Sequence, residues 1–308
     1  MTKLANYDKY KYDYKTYWSG REYEHEAEVY ALKKLFSDVQ GKRMIDLGGS
    51  YGRLLDIYYS HFDSVVIVDY SYDTLKKYQK EITERFPNVT LVAANAYKLP
   101  FKAGSFDGGI MFRTIHHIED IETLFNELSR IFIDKSIFIL EFANKFHIKA
   151  VIKWLLQLDF RNFDLTPYQQ KHKDTASGSK EETVFLNFAP RYIRFKLLEN
   201  LFKISKSQCV SFLRVSWLKK NLSLGILLTF EKLLQASPIN SLNISPSIIY
   251  KAQAVNPGNE QFIDSNFEDI LACPECKSEI SIDGNTASCK SCKKKFVQKA
   301  GVWDFRIS

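Results

Sequence analysis

The sequence lacks the segments that carry a chain into or across a membrane. No run of about eighteen consecutive apolar residues is present, which is the length a membrane-spanning helix needs. No basic segment followed by a short apolar core opens the chain either. We therefore expect a cytoplasmic protein. The net charge of +7 over 308 residues favours acidic partners such as nucleic acid or anionic lipid, but only mildly.

Cysteine is scarce except in one short segment. Four of the five cysteines form two C-x-x-C pairs that are separated by twelve residues, Cys273 with Cys276 and Cys289 with Cys292. Two such pairs predict a tetrahedral site of four thiolates, which suits Zn²⁺, with rubredoxin-type iron as the alternative. Disulfides are disfavoured in a cytoplasmic chain. A segment of this size buries little core, so the metal is expected to stabilise its fold.

Glycine is also sparse, yet three of the thirteen glycines lie within Gly48–Gly52. An apolar strand ending in Asp46 runs directly into this turn, where glycine lets the backbone approach a ligand closely. The spacing is not the G-x-G-x-x-G of a nicotinamide or flavin site. By itself the turn is also compatible with a purely structural role.

Three further apolar strands end in residues suited to chemistry. Val65–Val68 ends in Asp69, Val89–Ala93 leads to Asn95, and Ser105–Phe112 leads to a segment that contains Arg113, His116 and His117. These strand ends strengthen the interpretation of the glycine turn as part of a ligand site, since a strand-end acid about twenty residues after the turn is suited to ribose hydroxyls.

These motifs, in this order, resemble those of the class I S-adenosylmethionine (SAM) methyltransferases, type 11, over residues 15–145 and more loosely to 255. The resemblance implies an α/β fold with a Rossmann-like, doubly wound sheet, SAM as cofactor, and methyl transfer as the reaction. It places the methionine moiety between Gly48 and Gly52, with Asp46 beneath its amino-acid part. Asp69 would bind the ribose hydroxyls, and Asn95 with Ala96 would meet the adenine edge. The predicted cofactor site also includes Gly49, Ser50, Tyr70 and Arg113.

Two residues of the predicted cofactor site depart from the family pattern. Ser50 stands where the family has glycine, and we expect Gly49 to compensate by shifting the point at which the chain bends. Asn95 stands where aspartate is usual, and its amide can still accept a hydrogen bond from the adenine amino group.

The N-terminal segment is rich in tyrosine, with Tyr7, Tyr10 and Tyr12 among charged residues. In the resembled family such segments fold over the cofactor. Tyr17 and Arg21 could then close the pocket near the SAM carboxylate, since a guanidinium group suits a carboxylate. A tyrosine-rich arm packed on the surface is the alternative.

Residues 146–190 are interpreted as an insertion into the methyltransferase domain, at 1–255. The apolar residues Ile148, Val151, Ile152, Leu155 and Leu156 share one helical face, and we expect that face to pack in the core rather than serve as a lid or membrane contact. The polar stretch 169–182 predicts a loop. A helix near 191–201, a strand near 209–216 and an antiparallel strand near 248–252 should follow.

The acceptor is left open by the sequence. His116 or His117 could act as a general base or could shape the pocket through hydrogen bonds, and Arg113 could bind an anionic acceptor group. The motifs of exocyclic-amine and C5-pyrimidine methyltransferases are absent. We expect a small or lipid-like acceptor, with RNA as the alternative and a non-catalytic SAM-binding scaffold as the third possibility.

The C-terminal module, residues 268–308 after a linker at 256–267, resembles the Trm112-like zinc ribbon that is fused to or partnered with methyltransferases. This resemblance implies a protein partner as one role. Lys277 and Lys293 replace the glycine usual after each cysteine pair, and they are interpreted as a solvated rim or, alternatively, as phosphate contacts. We expect metal removal to unfold this module and to leave SAM binding by the core intact.

Overall fold

The computed structural model describes residues 14–169, 184–256 and 262–307. Tyr7, Tyr10, Tyr12 and most of the predicted polar loop therefore lie outside the described residues. The helices are α1 (Tyr14–Tyr17), α2 (Glu22–Phe36), α3 (Leu55–Tyr58), α4 (Tyr72–Arg85), α5 (Ile121–Ile131), α6 (Ile148–Leu156), α7 (Pro190–Glu199), α8 (Ser216–Asn221) and α9 (Leu224–Ala236). The strands are β1 (Gly41–Leu47), β2 (Phe62–Asp69), β3 (Val89–Ala93), β4 (Phe106–Met111), β5 (Phe132–Ala143), β6 (Tyr168–Gln169), β7 (Leu186–Asn187), β8 (Phe202–Val210), β9 (Ser247–Ala254), β10 (Ile280–Asp283), β11 (Thr286–Cys289), β12 (Lys295–Lys299) and β13 (Val302–Asp304).

The central sheet confirms the predicted α/β class. Strands β3, β2, β1, β4 and β5 are parallel, in that order, and the antiparallel strands β9 and β8 follow at one side. The strand order reverses between β1 and β4, so the loops after these strands diverge and leave a crevice at the carboxyl edge. This order is that of the Rossmann-like class I methyltransferase fold. Its crevice is where such a fold holds a ligand.

Apolar side chains cover both faces of this sheet. One cluster packs α2, α3 and α4 against β1, β2 and β3, and the other packs α5 and α7 against β4, β5 and β9. Asp107, at the start of β4, accepts hydrogen bonds from the backbone N–H groups of Lys42 (2.8 Å) and Arg43 (2.9 Å). It therefore ties the strands together at the edge opposite the crevice, away from the cofactor.

The segment that links α7 to β9 differs from the sequence-based expectation. The strand predicted near 209–216 lies at Phe202–Val210, and residues 216–236 form α8 and α9, which the sequence pattern did not predict. Helix α6 is present, but the prediction that its apolar face packs in the core was wrong. Only Trp154 of this helix is buried, whereas Ile148, Ile152, Leu155 and Leu156 are exposed.

The cysteine-rich module is joined to the central sheet. Strands β10 to β13 form an antiparallel meander, and β13 pairs in parallel with β3 through Val302 with Leu91 and Asp304 with Ala93. The predicted linker is only partly described: Phe262 donates its backbone N–H to Gly104 (2.9 Å), and the ring of Phe267 packs on that of Phe101. In the described residues the module thus extends the core sheet. The expectation that metal removal leaves the core intact is therefore revised, and we expect metal removal to destabilise both.

Candidate functional site

The glycine turn after β1 contains three residues in the left-handed region. Gly48 has φ +80°, Ser50 has φ +50° and Gly52 has φ +74°. The bend that the resembled family assigns to glycine is therefore made by Ser50 itself, and the expectation that Gly49 shifts the bend was wrong. A non-glycine residue in this region is under backbone strain.

Glycine is required at positions 48 and 49 because the neighbouring atoms leave no room for a side chain there. A Cβ atom on Gly48 would lie 2.2 Å from Thr114 Oγ1, and a Cβ atom on Gly49 would lie 2.7 Å from Asp46 Cγ. The turn therefore packs against the segment after β4 on one side and against the β1 carboxylate on the other. The Oγ atom of Ser50 is buried and has no hydrogen-bond partner in the described structure, so it could take a partner from a ligand.

Asp46 lies beneath this turn and is almost fully buried. The hydroxyl of Tyr58 donates a hydrogen bond to its Oδ2 atom. Burial raises the pKa of Asp46 to about 7, and the charge of Asp69 adds to this effect. The cationic amino group of a bound amino acid would favour the ionised carboxylate.

Asp69 ends β2 next to the turn. Its Oδ2 atom accepts the N–H of Ser50 (3.1 Å) and its Oδ1 atom accepts the N–H of Ser71 (2.9 Å). These hydrogen bonds fix the carboxylate at the edge of the crevice. Tyr70 follows, and its carbonyl accepts a hydrogen bond from Arg306 (3.4 Å) of the C-terminal tail.

Asn95 and Ala96 begin the loop after β3. The amide oxygen of Asn95 accepts the N–H of Tyr97 (2.9 Å), which leaves this oxygen one lone pair for a further donor. The same loop is held by the cysteine-rich module. Ala272 donates its N–H to Pro100 (3.0 Å), and the ammonium group of Lys277 contacts the Leu99 carbonyl (3.0 Å).

A buried carboxylate that sequence reasoning missed joins three elements over the crevice. Glu28 of α2 is fully buried and binds the guanidinium groups of Arg53, after the glycine turn (2.9 Å), and of Arg113, after β4. Burial would raise its pKa, but the charges of Arg113 and Arg53 outweigh that effect and hold the pKa of Glu28 below its usual value. The only sequence signal was a charged residue on the apolar face of α2.

Arg113 has a different environment from the one expected for an anion-binding residue. Besides Glu28, its backbone N–H donates to Glu141 (3.0 Å), and its φ is +58°. Its pKa is raised, because the charges of Glu28 and Glu141 outweigh the opposing effect of burial. Its charge is therefore already compensated within the protein.

Tyr17 and Arg21 lie next to this cluster. The guanidinium group of Arg21 stacks over the ring of Tyr17 at 4.0 Å, and Arg53 stacks over Trp18 at 3.7 Å. Because Arg53 also binds Glu28, this stacking places the segment before α2 beside the Glu28 cluster. Whether these two residues meet a cofactor carboxylate stays a prediction.

His116 and His117 form a short 3₁₀ helix after β4 with Ile115. The ring of His116 lies against His117 (4.1 Å between centroids) and against Phe185 (4.2 Å). The Nδ1 atom of His117 is 2.9 Å from the carbonyl oxygen of Val184. A carbonyl can only accept, so this contact favours the tautomer with the proton on Nδ1 and a lone pair on Nε2.

The four cysteines converge as predicted. Their Sγ atoms all lie within 4.8 Å of one another, with Cys273 to Cys292 at 3.6 Å and Cys276 to Cys289 at 3.5 Å. A tetrahedron with Zn–S bonds of about 2.3 Å has S···S edges of about 3.8 Å, so the donor set suits a four-coordinate Zn²⁺ ion. Lys277 and Lys293, after the two pairs, have φ of +58° and +61°, the conformation for which glycine is usual.

Comparisons with known proteins agree with this geometry. Residues 45–140 match the methyltransferase domain family. An uncharacterised protein of Methanocaldococcus jannaschii is 28% identical over 198 residues, which cover 64% of this chain and 72% of that protein.

Among the solved structures that share the fold are the following two. A SAM-dependent methyltransferase from Thermotoga maritima superposes with a TM-score of 0.52 at 14% identity, over 80% of this chain and 98% of the other. A chain from the complex of the Haloferax volcanii Trm112 methyltransferase activator with a protein described as a methyltransferase superposes with a TM-score of 0.52 at 10% identity, over 78% and 93%.

Proposed function

Because the chain carries a SAM-dependent methyltransferase domain with the class I fold, we propose that it transfers the methyl group of SAM to a small apolar or lipid-like acceptor. The proposal has two parts, which are the placement of the cofactor in the crevice and the chemical class of the acceptor.

The glycine turn and Asp69 form the proposed cofactor site. Gly48 and Gly52 would border the methionine moiety, and the unpartnered Ser50 Oγ supports a polar ligand there. Asp69 would accept hydrogen bonds from the ribose hydroxyls, since it is the carboxylate fixed at the end of β2. Asn95 and Ala96 would contact adenine.

The acceptor is proposed to enter beside His116 and His117. This part of the crevice offers aromatic rings, and the charge of Arg113 is compensated by Glu28. These two observations favour an apolar acceptor over an anionic one. Methyl transfer depends chiefly on alignment and proximity, and it needs a base only when the nucleophile carries a tightly held proton. In that case His116 or His117 would serve.

RNA is less well supported as the acceptor. Two lysines of the cysteine-rich module already pair with carboxylates: the half-buried Lys277 binds Glu127 at 2.8 Å, and the exposed Lys294 binds Glu275 at 3.3 Å. The module is therefore proposed as a structural Zn²⁺ site that supports the loop at Asn95. Its relation to Trm112-like ribbons and to any protein partner stays a proposal.

The observation that carries the proposal is the fixed carboxylate of Asp69 beside a turn that admits no side chain at Gly48. Replacing Asp69 by alanine should weaken SAM binding by about 1.5–3 kcal/mol, the range for a charge-assisted hydrogen bond. Calorimetry would measure it, and Asp73→Ala, at an exposed carboxylate of α4, is the matched control. Equal SAM affinity in both variants would contradict the assignment.

The acceptor class can be tested with radiolabelled SAM. The protein would be incubated separately with total lipid extract and with total RNA, and label in each fraction would be counted. Label in lipid supports the proposal. Label confined to RNA would replace it with the RNA alternative, and SAM binding without transfer to either would favour the non-catalytic scaffold.

A further inference from the structure

Helix α9 has its polar and apolar sides reversed. Its inward side contains Glu231, which is fully buried and accepts hydrogen bonds from Tyr23, from the N–H of Ser211 (2.7 Å) and from Gln235 (3.0 Å). Its outward side contains large apolar residues at helical spacing, Ile226, Phe230 and Leu233. A helix at a water-facing surface normally shows the opposite arrangement.

Helix α6 also exposes large apolar side chains, but its inward side contains Trp154 instead of a polar residue. Only Trp154 is buried, and Leu156 keeps 81% of its surface exposed. The residues just after this helix add Leu158 and Phe160, both exposed. Exposed apolar residues scattered singly need no explanation, but a group of this size marks a contact surface.

The two helices are connected through α8. Lys149 of α6 donates to the backbone carbonyl of Arg214 (2.5 Å), just before α8, and α8 packs against α9. Trp217 of α8 is 68% exposed. We call the exposed apolar side chains of these helices the apolar surface, and it consists of Ile148, Ile152, Leu155, Leu156, Trp217, Leu224, Ile226, Phe230 and Leu233.

The charges on these helices have one sign. Helices α6, α8 and α9 contain five lysines, and their single acidic residue is the buried Glu231. Among them Lys153, Lys220 and Lys232 are exposed. Large apolar residues with lysines beside them and no exposed carboxylate are the composition of a segment that lies in a membrane interface.

The apolar surface also adjoins the crevice. Helix α6 follows the carboxyl end of β5, and Arg214, just before α8, lies 3.9 Å from Glu24 of α2, one helical turn before Glu28. No helix in the described part of the chain is long and apolar enough to cross a membrane, so any membrane contact would be at its surface.

We propose that the apolar surface docks the protein on an anionic lipid bilayer. Trp217, Phe230 and their neighbours enter the headgroup region, and the lysines contact anionic headgroups. A lipid-like acceptor would then reach the crevice from the bilayer, and this step rests on the proposed function. The binding of the protein to vesicles does not depend on the proposed function.

Vesicle sedimentation of the full-length protein tests the docking. Vesicles of phosphatidylcholine with phosphatidylglycerol should bind it more tightly than pure phosphatidylcholine vesicles, and the tryptophan emission, to which the exposed Trp217 contributes, should shift to shorter wavelength. Phe230→Ser should lower the partition coefficient about tenfold, because it removes one large apolar side chain. Lys220→Gln should lower it about fivefold.

The matched control is Phe195→Ser, on α7, where Phe195 is 57% exposed and Phe230 is 52% exposed. This control should bind vesicles like the unmodified protein. The proposal is overturned if no vesicle binds the protein, if Phe195→Ser and Phe230→Ser lose binding equally, or if light scattering shows a dimer that Phe230→Ser dissociates. Calorimetric SAM binding, measured on the same variants, separates a failure of docking from a failure of the proposed function.

Discussion

Replacing Glu28 by glutamine tests how α2 is held over the crevice. The substitution keeps the shape of the side chain and removes the negative charge between Arg53 and Arg113, whose side chains are only 12% and 19% exposed. Removing one partner of a buried ion pair costs about 3–5 kcal/mol, because the remaining charge is left uncompensated. Both guanidinium groups keep some solvent contact, so we expect about 3 kcal/mol.

This loss is a large part of the total of about 5–15 kcal/mol that stabilises a typical domain. Thermal unfolding should show it as a midpoint lowered by about 6–12 °C. SAM affinity should fall as well, since Arg53 and Arg113 follow the two strands that border the crevice. The control is Glu84→Gln, which breaks an exposed pair with Lys80 and should change stability by less than about 0.5 kcal/mol.

The pH dependence gives a second measurement. The folded-state pKa of Glu28 lies below its unfolded value of about 4.5, so its contribution is present above that pH and is lost as the pH falls through the folded pKa. The difference between the unmodified protein and Glu28→Gln should therefore shrink in acid. If Glu28→Gln unfolds within 1 °C or so of the unmodified protein at neutral pH, the ion-pair cluster does not hold α2 and the reasoning is refuted.

Three further results are expected. The folded-state pKa of Asp46, about 7, exceeds the unfolded value of about 3.9, so this group should lower the free energy of unfolding as the pH rises between the two values. Asp46→Asn should reduce this dependence of stability on pH. If the unfolding free energies of the variant and of the unmodified protein change equally with pH, the assignment is contradicted. Elemental analysis should find one zinc per chain, and Cys289→Ser should lower the unfolding midpoint of the whole chain, since β13 pairs with β3; an unchanged midpoint would show that the module is independent. If a base is needed, His116→Ala or His117→Ala should lower turnover on an identified acceptor about 10²–10⁴-fold at nearly constant SAM affinity, and full activity in both would remove the base role.

The parts of the site that depend on a few neighbouring residues could be predicted from the sequence. The turn at Gly48–Gly52, the acid that ends β2 and the two cysteine pairs each express a local requirement, such as a left-handed backbone angle or the spacing of two metal ligands. The lysines after the cysteine pairs show the limit of this reasoning. Their left-handed conformation could be expected from their position directly after each C-x-x-C pair, where glycine is usual. The contact of Lys277 with Glu127 depends instead on where the module packs against the central sheet.

The remaining features arise from contacts between distant segments. In the Glu28 cluster, Glu28 contacts arginines that lie 25 and 85 positions away in the sequence. Tyr23 donates a hydrogen bond to Glu231, which lies 208 positions away. No local pattern shows that a glutamate on a largely apolar helix will find buried partners, so the inward orientation of Glu231 on α9 follows only from its tertiary contacts. The pairing of β13 with β3 is equally hidden, since any short apolar strand can join an open sheet edge. The sequence alone determined the chemistry of the turn and of the thiolates, and tertiary structure decided which charges are compensated, which helices face outward, and that the cysteine-rich module extends the catalytic sheet.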